Sequence, residues 1–220
     1  MLIRAKDLSK SYQMDKVTIH ALQNVSLDIA EGEFISLMGP SGAGKSTLLH
    51  ILGCLDNPDQ GSVEIHGQPI QRMKDSQLSV FRNRHIGFIF QSFNLMPVLN
   101  VYENVEFPLL IRGGKVDRDK VLQTIEAVGL LDYLKHRPDE LSGGQRQRVA
   151  IARALVTEPD IILADEPTAN LDSKTGEKII TLLLELNSRQ RVTFLFSTHH
   201  DMIARHAKRI INILDGQLIE

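Results

Sequence analysis

The sequence predicts an α/β protein with a mostly parallel central sheet, an N-terminal antiparallel β region and an inserted helical region. Four short segments are apolar on both faces, as central strands covered on both sides usually are. They are residues 34–38, 86–90, 161–165 and 192–198. Three earlier segments, at 2–8, 25–29 and 63–67, are short or alternating and are separated by polar turns, a pattern typical of antiparallel strands. Residues from about 92 to 150 show no clear strand pattern.

Helical segments separate the predicted parallel strands. Residues 45–52 form an apolar segment that Gly53 closes, and residues 176–189 repeat apolar side chains at helical spacing. A third periodic segment, 119–131, follows a Gly-Gly break at 113–114. The end of the chain, "RIINILDGQLIE", predicts a hairpin around Asp215 and Gly216.

These elements predict one domain over residues 1–220. Within it, residues 1–91 and 151–220 form the α/β core and β-subdomain, and residues from about 92 to 150 form a helical subdomain. The length of 220 residues is sufficient for a hydrophobic core without disulfides or structural metals.

The composition excludes several function classes. A formal net charge of −2 disfavours a nucleic-acid reader, because no overall basic field attracts phosphate backbones. The single cysteine, Cys54, forms no internal disulfide, fits a reducing cytosol, and is expected to be a small core residue. No 18 apolar residues run together, so we expect no direct membrane insertion. Any link to a membrane then requires a partner protein.

A glycine-rich loop between a predicted strand and a predicted helix indicates nucleotide binding. "GPSGAGKS" matches the pattern G-x-x-x-x-G-K-[ST], whose backbone N–H groups point at phosphate oxygens. Lys45 is expected to reach the β- and γ-phosphates, and the Ser46 hydroxyl is expected to bind Mg²⁺. The predicted nucleotide-binding residues of the loop are Gly39, Pro40, Ser41, Gly42, Ala43, Gly44, Lys45, Ser46 and Thr47.

A pair of acidic residues follows the apolar strand "IILA". Asp165 stands at the carboxyl end of that strand, the edge at which open α/β sheets bind ligands, and is expected to hold Mg²⁺. Glu166 is the candidate general base for an attacking water. The alternative interpretation is that the pair is simply solvated at a strand end.

A second candidate phosphate site begins at residue 142. In "LSGGQ", residues 141–145, Ser142, Gly143, Gly144 and Gln145 open a helix whose N–H groups and positive dipole end suit an anion. The alternative is an ordinary glycine-rich helix cap. The sequence therefore contains two candidate phosphate sites.

The glycine-rich loop, "LSGGQ" and "ADEP", in this order, resemble the motifs of the ATP-binding-cassette ATPases over essentially the whole chain. The resemblance implies a P-loop NTPase core that hydrolyses ATP with Mg²⁺. It also implies that Tyr12 stacks on adenine, although a strand tyrosine alone is core packing about as often. Gln91 would contact Mg²⁺ and the attacking water, Asp172 is similar to the family's D-loop aspartate, and His199 would contact the γ-phosphate.

Two positions depart from the commonest family pattern. Ala169 stands where glycine is usual, and His200 stands where aspartate is usual. The spacing to the C-terminal hairpin favours His199 over His200 as the switch histidine. A zinc site made of His199, His200 and His206 is disfavoured, because their spacing is unlike that of a closed zinc site.

The resemblance also implies partners. In this family the signature helix completes the nucleotide site of a second subunit, so a head-to-tail homodimer that encloses two ATP molecules is expected. A bulky residue at Gly143 is then expected to spare ATP binding to the monomer and to remove hydrolysis. Longer stretches around residues 48–67, 81–110 and 162–172 are similar to the lipoprotein-release and macrolide-export group. That similarity implies a separate membrane permease, docked near the segment after Gln91, around Phe93 to Val98. The protein would then be cytoplasmic and peripheral on the inner membrane of a bacterium.

Three alternatives stay open beside this reading. The first is the related ATPase of the cell-division permease complex. The second is a soluble cassette ATPase of DNA repair or translation, which is disfavoured because the chain has neither heptads nor an internal repeat. The third is a non-catalytic regulatory cassette, which is disfavoured because Lys45 and Glu166 are both present.

Overall fold

A six-stranded, mostly parallel sheet forms the centre of the molecule. The computed structural model describes residues 1–15, 17–113, 115–200 and 204–219. The strand order is β10-β9-β3-β8-β7-β6, and only β10 is antiparallel to its neighbour. The bounds are β3 Phe34–Met38, β6 Ile86–Ile89, β7 Ile161–Ala164, β8 Thr193–Thr198, β9 Arg209–Leu214 and β10 Gln217–Ile219. The four predicted central strands and the terminal hairpin are confirmed.

A second, antiparallel sheet covers one face of this core. Its order is β2-β1-β4-β5, with β1 Ile3–Met14, β2 Val17–Ile29, β4 Gln60–Ile65 and β5 Gln68–Pro69. The predicted antiparallel region is confirmed, but β1 and β2 are longer than their apolar segments. The pairing of β1 with β2 shifts register at three places between Ala5 and Ser11, which allows the long ribbon to bend.

Six α-helices are found among the described residues. They are α1 Lys45–Leu52, α2 Asp75–His85, α3 Val101–Arg112, α4 Arg118–Ala127, α5 Gly143–Leu155 and α6 Ser173–Gln190. The helix predicted at 45–52 is confirmed residue for residue, and α6 contains the helix predicted at 176–189. Gly113 ends α3, while Gly114 of the predicted break lies outside the described residues. Within the described ranges, none of the helices is both long and apolar enough to cross a membrane.

Helix α2 was not predicted. Only Phe81 of its residues is fully buried, so the helix lacks the apolar stripe that sequence patterns detect. Its charges still suit the helix dipole, because Asp75 lies in the first turn and Arg82, Arg84 and His85 lie in the last.

Two hydrophobic clusters hold the layers together. The first lies between the two sheets and around α1, and it includes Cys54. Burial raises the pKa of the Cys54 thiol to about 11, so its expected role as a core residue is confirmed. The second cluster packs α3 to α6 against the opposite face of the parallel sheet, around Phe34, Phe194 and Phe196. Helix α5 crosses residue 150, the predicted end of the helical subdomain, and so joins that region to the core.

The parallel strands bring the predicted site residues to one edge of the sheet. The carboxyl ends of β3, β6, β7 and β8 lead into Gly39, Gln91, Asp165 and His199 respectively. Because parallel strands end at the same edge, these four segments meet there.

Candidate functional site

A cleft of about 370 Å³ opens over the glycine-rich loop at this edge. Its lining combines strand β1, strand β2, the loop, and the residues after β6 and β7. The lining residues are Tyr12, Ile19, Ala21, Ser41, Gly42, Gly44, Lys45, Ser46, Thr47, Gln91 and Glu166. The structure therefore brings together predicted residues from four separate parts of the sequence.

Close packing fixes the shape of the loop. A Cβ on Gly39 would overlap the carbonyl oxygen of Ile213, and a Cβ on Gly44, whose φ is +102°, would overlap that of Ala21. Ala43 is buried, and its carbonyl accepts a hydrogen bond from the N–H of Gly216 at 3.0 Å. The terminal hairpin and β2 thus pack against the outside of the loop. Within the loop, the carbonyl oxygen of Pro40 accepts a hydrogen bond from the N–H of Ala43.

Lys45 is buried at the bottom of the cleft, with 5% of its side chain exposed. Its Nζ donates to the carbonyl oxygens of Gly39 at 2.7 Å and Pro40 at 2.9 Å. The same nitrogen lies 3.5 Å from Oε1 of Glu166. The ammonium group is therefore held where phosphate oxygens can replace these three oxygens as partners.

A buried serine positions the acidic pair. Oγ of Ser197 donates to Oδ1 of Asp165 at 2.7 Å and accepts the backbone N–H of Glu166 at 2.8 Å. Glu166 has a φ of +44°, in the left-handed region that non-glycine residues rarely occupy. Sequence analysis missed Ser197, and the available signal was a hydroxyl within the otherwise apolar strand "TFLFST".

His199 completes the group around Glu166. Its Nδ1 lies 3.2 Å from Oε1 of Glu166, and its ring centroid lies 4.0 Å from that of His200. Thus Lys45 and His199 both approach the same carboxylate oxygen. The assignment of His199 to the γ-phosphate stays a prediction; the structure shows its contact with Glu166, which lines the cleft.

An aspartate that sequence analysis missed holds Tyr12 at the rim of the cleft. The hydroxyl of Tyr12 donates to Oδ2 of Asp56 at 2.7 Å, and Lys10 lies 3.0 Å from Oδ1. Partial burial opposes ionisation of Asp56, but the Tyr12 hydroxyl and the Lys10 ammonium hold the pKa of its carboxyl below the usual range. Burial also raises the pKa of the Tyr12 phenol, and the hydrogen bond to Asp56 holds the hydroxyl beside the cleft.

The candidate magnesium ligands are all oxygen donors. Ser46 offers a hydroxyl, Asp165 a carboxylate and Gln91 an amide, the donor types that Mg²⁺ prefers. Ser46 and Gln91 line the cleft, and Asp165 lies beside it next to Glu166. The backbone carbonyl of Gln91 accepts a hydrogen bond from Nδ2 of Asn170 at 2.9 Å, which ties Gln91 to the segment after Glu166.

The predicted signature residues lie elsewhere on the surface. Ser142 caps α5, its hydroxyl accepting from the N–H of Gln145 while Oε1 of Gln145 accepts from the N–H of Ser142 at 2.8 Å. The N–H groups of Gly143 and Gly144 donate to no oxygen within the described ranges. Among the described residues, none of these four lines the cleft of its own chain.

The first turn of α5 packs against the segment that leads into α6. A Cβ on Gly143 would lie 3.3 Å from Cδ2 of Leu171, and one on Gly144 would lie 2.7 Å from Cγ2 of Thr175. Asp172 caps α6, and its hydrogen bonds with Thr175 hold the pKa of its carboxyl below the usual range. A bulky residue at Gly143 would therefore also disturb its own chain, so a substitution at Ser142 is a cleaner test.

The segment after Gln91 is attached to α5 and α3. Arg153 of α5 donates to the carbonyl oxygens of Asn94 at 2.6 Å and Phe93 at 2.8 Å. Asn104 of α3 is buried, and its side-chain amide bonds the backbone of Met96 twice. Oδ1 accepts from the N–H of Met96, and Nδ2 donates to its carbonyl oxygen. Val98, in contrast, is 73% exposed. The segment is thus fixed in shape and presents an apolar side chain to solvent.

The chain matches a known protein family. The model of the family described as "ABC transporter" matches residues 22–169. A solved dimeric structure of the ATP-binding cassette MJ0796, in a post-hydrolysis state bound to ADP and Pi, has a TM-score of 0.92 and 47% identity. That match covers 100% of this chain and 97% of the solved chain.

Named relatives show comparable similarity. MJ0796, an ABC transporter ATP-binding protein of Methanocaldococcus jannaschii, is 48% identical, over 99% of this chain and 95% of its own length. The lipoprotein-releasing system ATP-binding protein LolD of Bacteroides fragilis is 42% identical, over 99% of this chain and 100% of its own. The macrolide export ATP-binding/permease protein MacB of Bdellovibrio bacteriovorus is 45% identical over 98% of this chain, but only 33% of MacB is covered.

Proposed function

Because the chain belongs to the ABC transporter family, as the part that binds and hydrolyses ATP, we propose that two copies close around two ATP molecules to energise a separate membrane permease. The cleft over the glycine-rich loop would hold each nucleotide, with Tyr12 against the adenine. The first turn of α5 of the other copy would cover the γ-phosphate.

One observation carries this proposal. The cleft has a cationic floor at Lys45 and a carboxylate at Glu166, yet Ser142, Gly143 and Gly144 of the same chain lie outside it. The two glycine N–H groups, at the positive end of a 13-residue helix, need an acceptor. The γ-phosphate of a nucleotide on a second copy supplies one, and the dimeric form of the solved relative supports this arrangement.

The contacts of Glu166 suggest how nucleotide binding prepares hydrolysis. In the structure, Nζ of Lys45 lies against Glu166 and two backbone carbonyl oxygens. Phosphate oxygens draw the Lys45 ammonium away, which leaves the carboxylate free to accept a proton from the attacking water. His199 is hydrogen-bonded to the same carboxylate oxygen, so it would orient Glu166, and its imidazole would contact the γ-phosphate in the proposed complex.

Ser46, Asp165 and Gln91 would hold Mg²⁺ in this arrangement. When bound, the ion supplies positive charge to the β- and γ-phosphate oxygens. Ser197 orients the carboxylate of Asp165 toward that position, and the same hydroxyl fixes the backbone of Glu166. The metal ligand and the general base thus share one support.

The permease is proposed to dock on the segment after Gln91, around Phe93 to Val98. The exposed side chain of Val98 supplies apolar contact area, and Arg153 links this segment directly to the helix that carries the signature residues. Similarity to LolD and to the ATPase part of MacB supports a system of lipoprotein-release or macrolide-export type. The protein would then lie on the cytoplasmic face of the inner membrane, attached through the permease. The related cell-division ATPase remains the alternative within this group.

A Glu166→Gln variant tests the proposal. Without the base the variant should bind ATP and Mg²⁺, fail to hydrolyse ATP, and run as a dimer on a sizing column in saturating ATP and as a monomer in ADP. Wild-type chain, which turns ATP over, is the control. A variant that stays monomeric in ATP both alone and with membranes would contradict the two-copy site.

The same variant identifies the partner. Tagged Glu166→Gln protein, purified from native membranes in ATP, should retain a permease with four membrane helices and a large extracytoplasmic domain. Recovery of a many-helix import permease with a binding protein would contradict the lipoprotein-release or macrolide-export assignment while leaving the ATPase assignment intact.

A further inference from the structure

Two histidines and an aspartate converge at the edge of the sheet opposite the nucleotide. Oδ2 of Asp160 lies 2.6 Å from Nδ1 of His85 and 3.0 Å from Nε2 of His66. These three atoms all lie within 4.8 Å of one another. The ATPase mechanism uses none of the three residues, because they precede β6 and β7 or follow β4, whereas the nucleotide site lies beyond the carboxyl ends of the parallel strands.

Backbone hydrogen bonds fix the position of each residue in the cluster. The N–H of His66, in the turn between β4 and β5, donates to the carbonyl of Leu2 at 2.9 Å. The N–H of Asp160 donates to the carbonyl of His85 at 3.0 Å, and its own carbonyl accepts from Thr193 at 3.2 Å. The convergence is therefore built by three distant segments of the fold rather than by neighbouring surface side chains.

We propose that His66, His85 and Asp160 form a binding site for a divalent transition metal ion of the zinc class. Two imidazole nitrogens and one carboxylate oxygen are a donor set that Zn²⁺ binds readily, with water in the fourth position. The side chains are 25% to 39% exposed, so water reaches the group. Zinc–ligand distances of about 2.0–2.2 Å require the three atoms to separate slightly from their hydrogen-bonded spacing.

The bound ion would join the two sheets. His66 lies in the turn between two strands of the antiparallel sheet, whereas His85 and Asp160 precede neighbouring strands of the parallel sheet. Ion binding favours the folded chain, because the three ligands come together only there. The site thus gives the protein a metal-dependent stability without contact with ATP.

Metal titration of the whole chain, free of nucleotide and Mg²⁺, tests the proposal. The protein should bind one equivalent of Zn²⁺, and Co²⁺ in its place should give the visible absorption of a four- or five-coordinate ion. Single variants His66→Asn, His85→Gln and Asp160→Asn should each weaken binding at least about tenfold. Asparagine suits position 66 because the φ of His66 is +51°.

Two controls separate this site from other histidines. His206→Gln removes an exposed histidine elsewhere and should leave binding unchanged. His199→Gln removes the imidazole beside Glu166, which offers Zn²⁺ an alternative site. Loss of binding in His199→Gln but not in His66→Asn, or no bound metal in the wild-type chain, would overturn the proposal. With Mg²⁺ present and zinc removed, the ATPase rate of His66→Asn should match that of the wild type.

Discussion

At the scale of single residues, the acidic pair at the end of β7 depends on one hydroxyl. Ser197 bonds the carboxylate of Asp165 and the backbone N–H of Glu166, and it is fully buried. Ser197→Ala leaves both partners unsatisfied, so we expect the free energy of unfolding to fall by about 1–3 kcal/mol. ATP hydrolysis should slow by about tenfold or more, because the base and the metal ligand lose their shared support. Denaturant titration and a phosphate-release assay measure the two effects.

Ser36 provides a matched control for this prediction. It lies in the adjacent strand, β3, opposite Phe196 of β8, and it is equally buried. Within the described ranges its hydroxyl has no hydrogen-bond partner. Ser36→Ala should therefore leave hydrolysis unchanged, and it should keep or raise the free energy of unfolding, because it removes a buried polar group without adding an unsatisfied one. Equal effects of the two substitutions would mean that the hydroxyl of Ser197 has no special role.

Residues with a fixed motif spacing could be found from the sequence, whereas the residues that hold them in place through hydrogen bonds could not. Lys45 and Glu166 were predicted because each stands at a defined position after an apolar strand. Ser197 and Asp56 act through contacts with residues 31 or more positions away, and no local pattern marks such pairs. The metal-ligand cluster was missed for the same reason, since His66 and Asp160 are separated by 94 residues.

At the scale of elements, helix α5 connects two proposed functional surfaces. Its first turn carries the signature residues, and near its other end Arg153 holds the carbonyl oxygens of Phe93 and Asn94. Burial lowers the pKa of the Arg153 guanidinium, and both hydrogen bonds are short. If the segment serves as the docking surface, we expect these two hydrogen bonds to couple its position to that of α5.

Substitution of Arg153 tests this connection. Arg153→Ala should release the segment, so the backbone amides of Phe93 and Asn94 should exchange hydrogen at least about tenfold faster, equivalent to roughly 1.4 kcal/mol. Arg189→Ala, which removes an exposed i,i+4 ion pair on α6, should leave these amides unchanged. Hydrogen exchange followed by mass spectrometry or NMR gives the result. Unchanged exchange in Arg153→Ala would show that other contacts fix the segment.

The elements themselves were predicted where burial leaves a pattern. Strands β3, β6, β7 and β8 are nearly continuous apolar runs because helices or the second sheet cover both faces. Helix α2 buries only Phe81, so its sequence carries little periodic signal. The register shifts of β1 and β2 also leave no local pattern, which explains why these strands were predicted too short.

At the scale of the whole molecule, the proposed dimer divides each catalytic site between two chains. In that dimer, a twofold axis places the glycine-rich loop of each copy against the first turn of α5 of the other copy. Damage to the loop of one chain and damage to the signature of the other then fall in the same site and leave the second site intact. The same two lesions in one chain fall in different sites and damage both. A site contained within one chain has no such property.

Mixing two inactive variants distinguishes these arrangements. Lys45→Ala removes the phosphate-binding ammonium, whereas Ser142→Asp keeps a good helix cap but places a carboxylate where the γ-phosphate would lie. Each variant alone should be nearly inactive. An equal mixture should recover about a quarter of the wild-type ATPase rate, because half of the dimers are mixed and each mixed dimer contains one intact site of two.

The cap-preserving control is Ser142→Asn, which adds no charge and should be more active than Ser142→Asp. This comparison separates repulsion of the phosphate from disruption of α5, whose first turn depends on the side chain at position 142. Phosphate release measured across mixing ratios should peak at equal amounts of the two chains, because mixed dimers are then most abundant. A rate that stays at the weighted sum of the two variants at every ratio would place both phosphate-binding elements on one nucleotide within one chain.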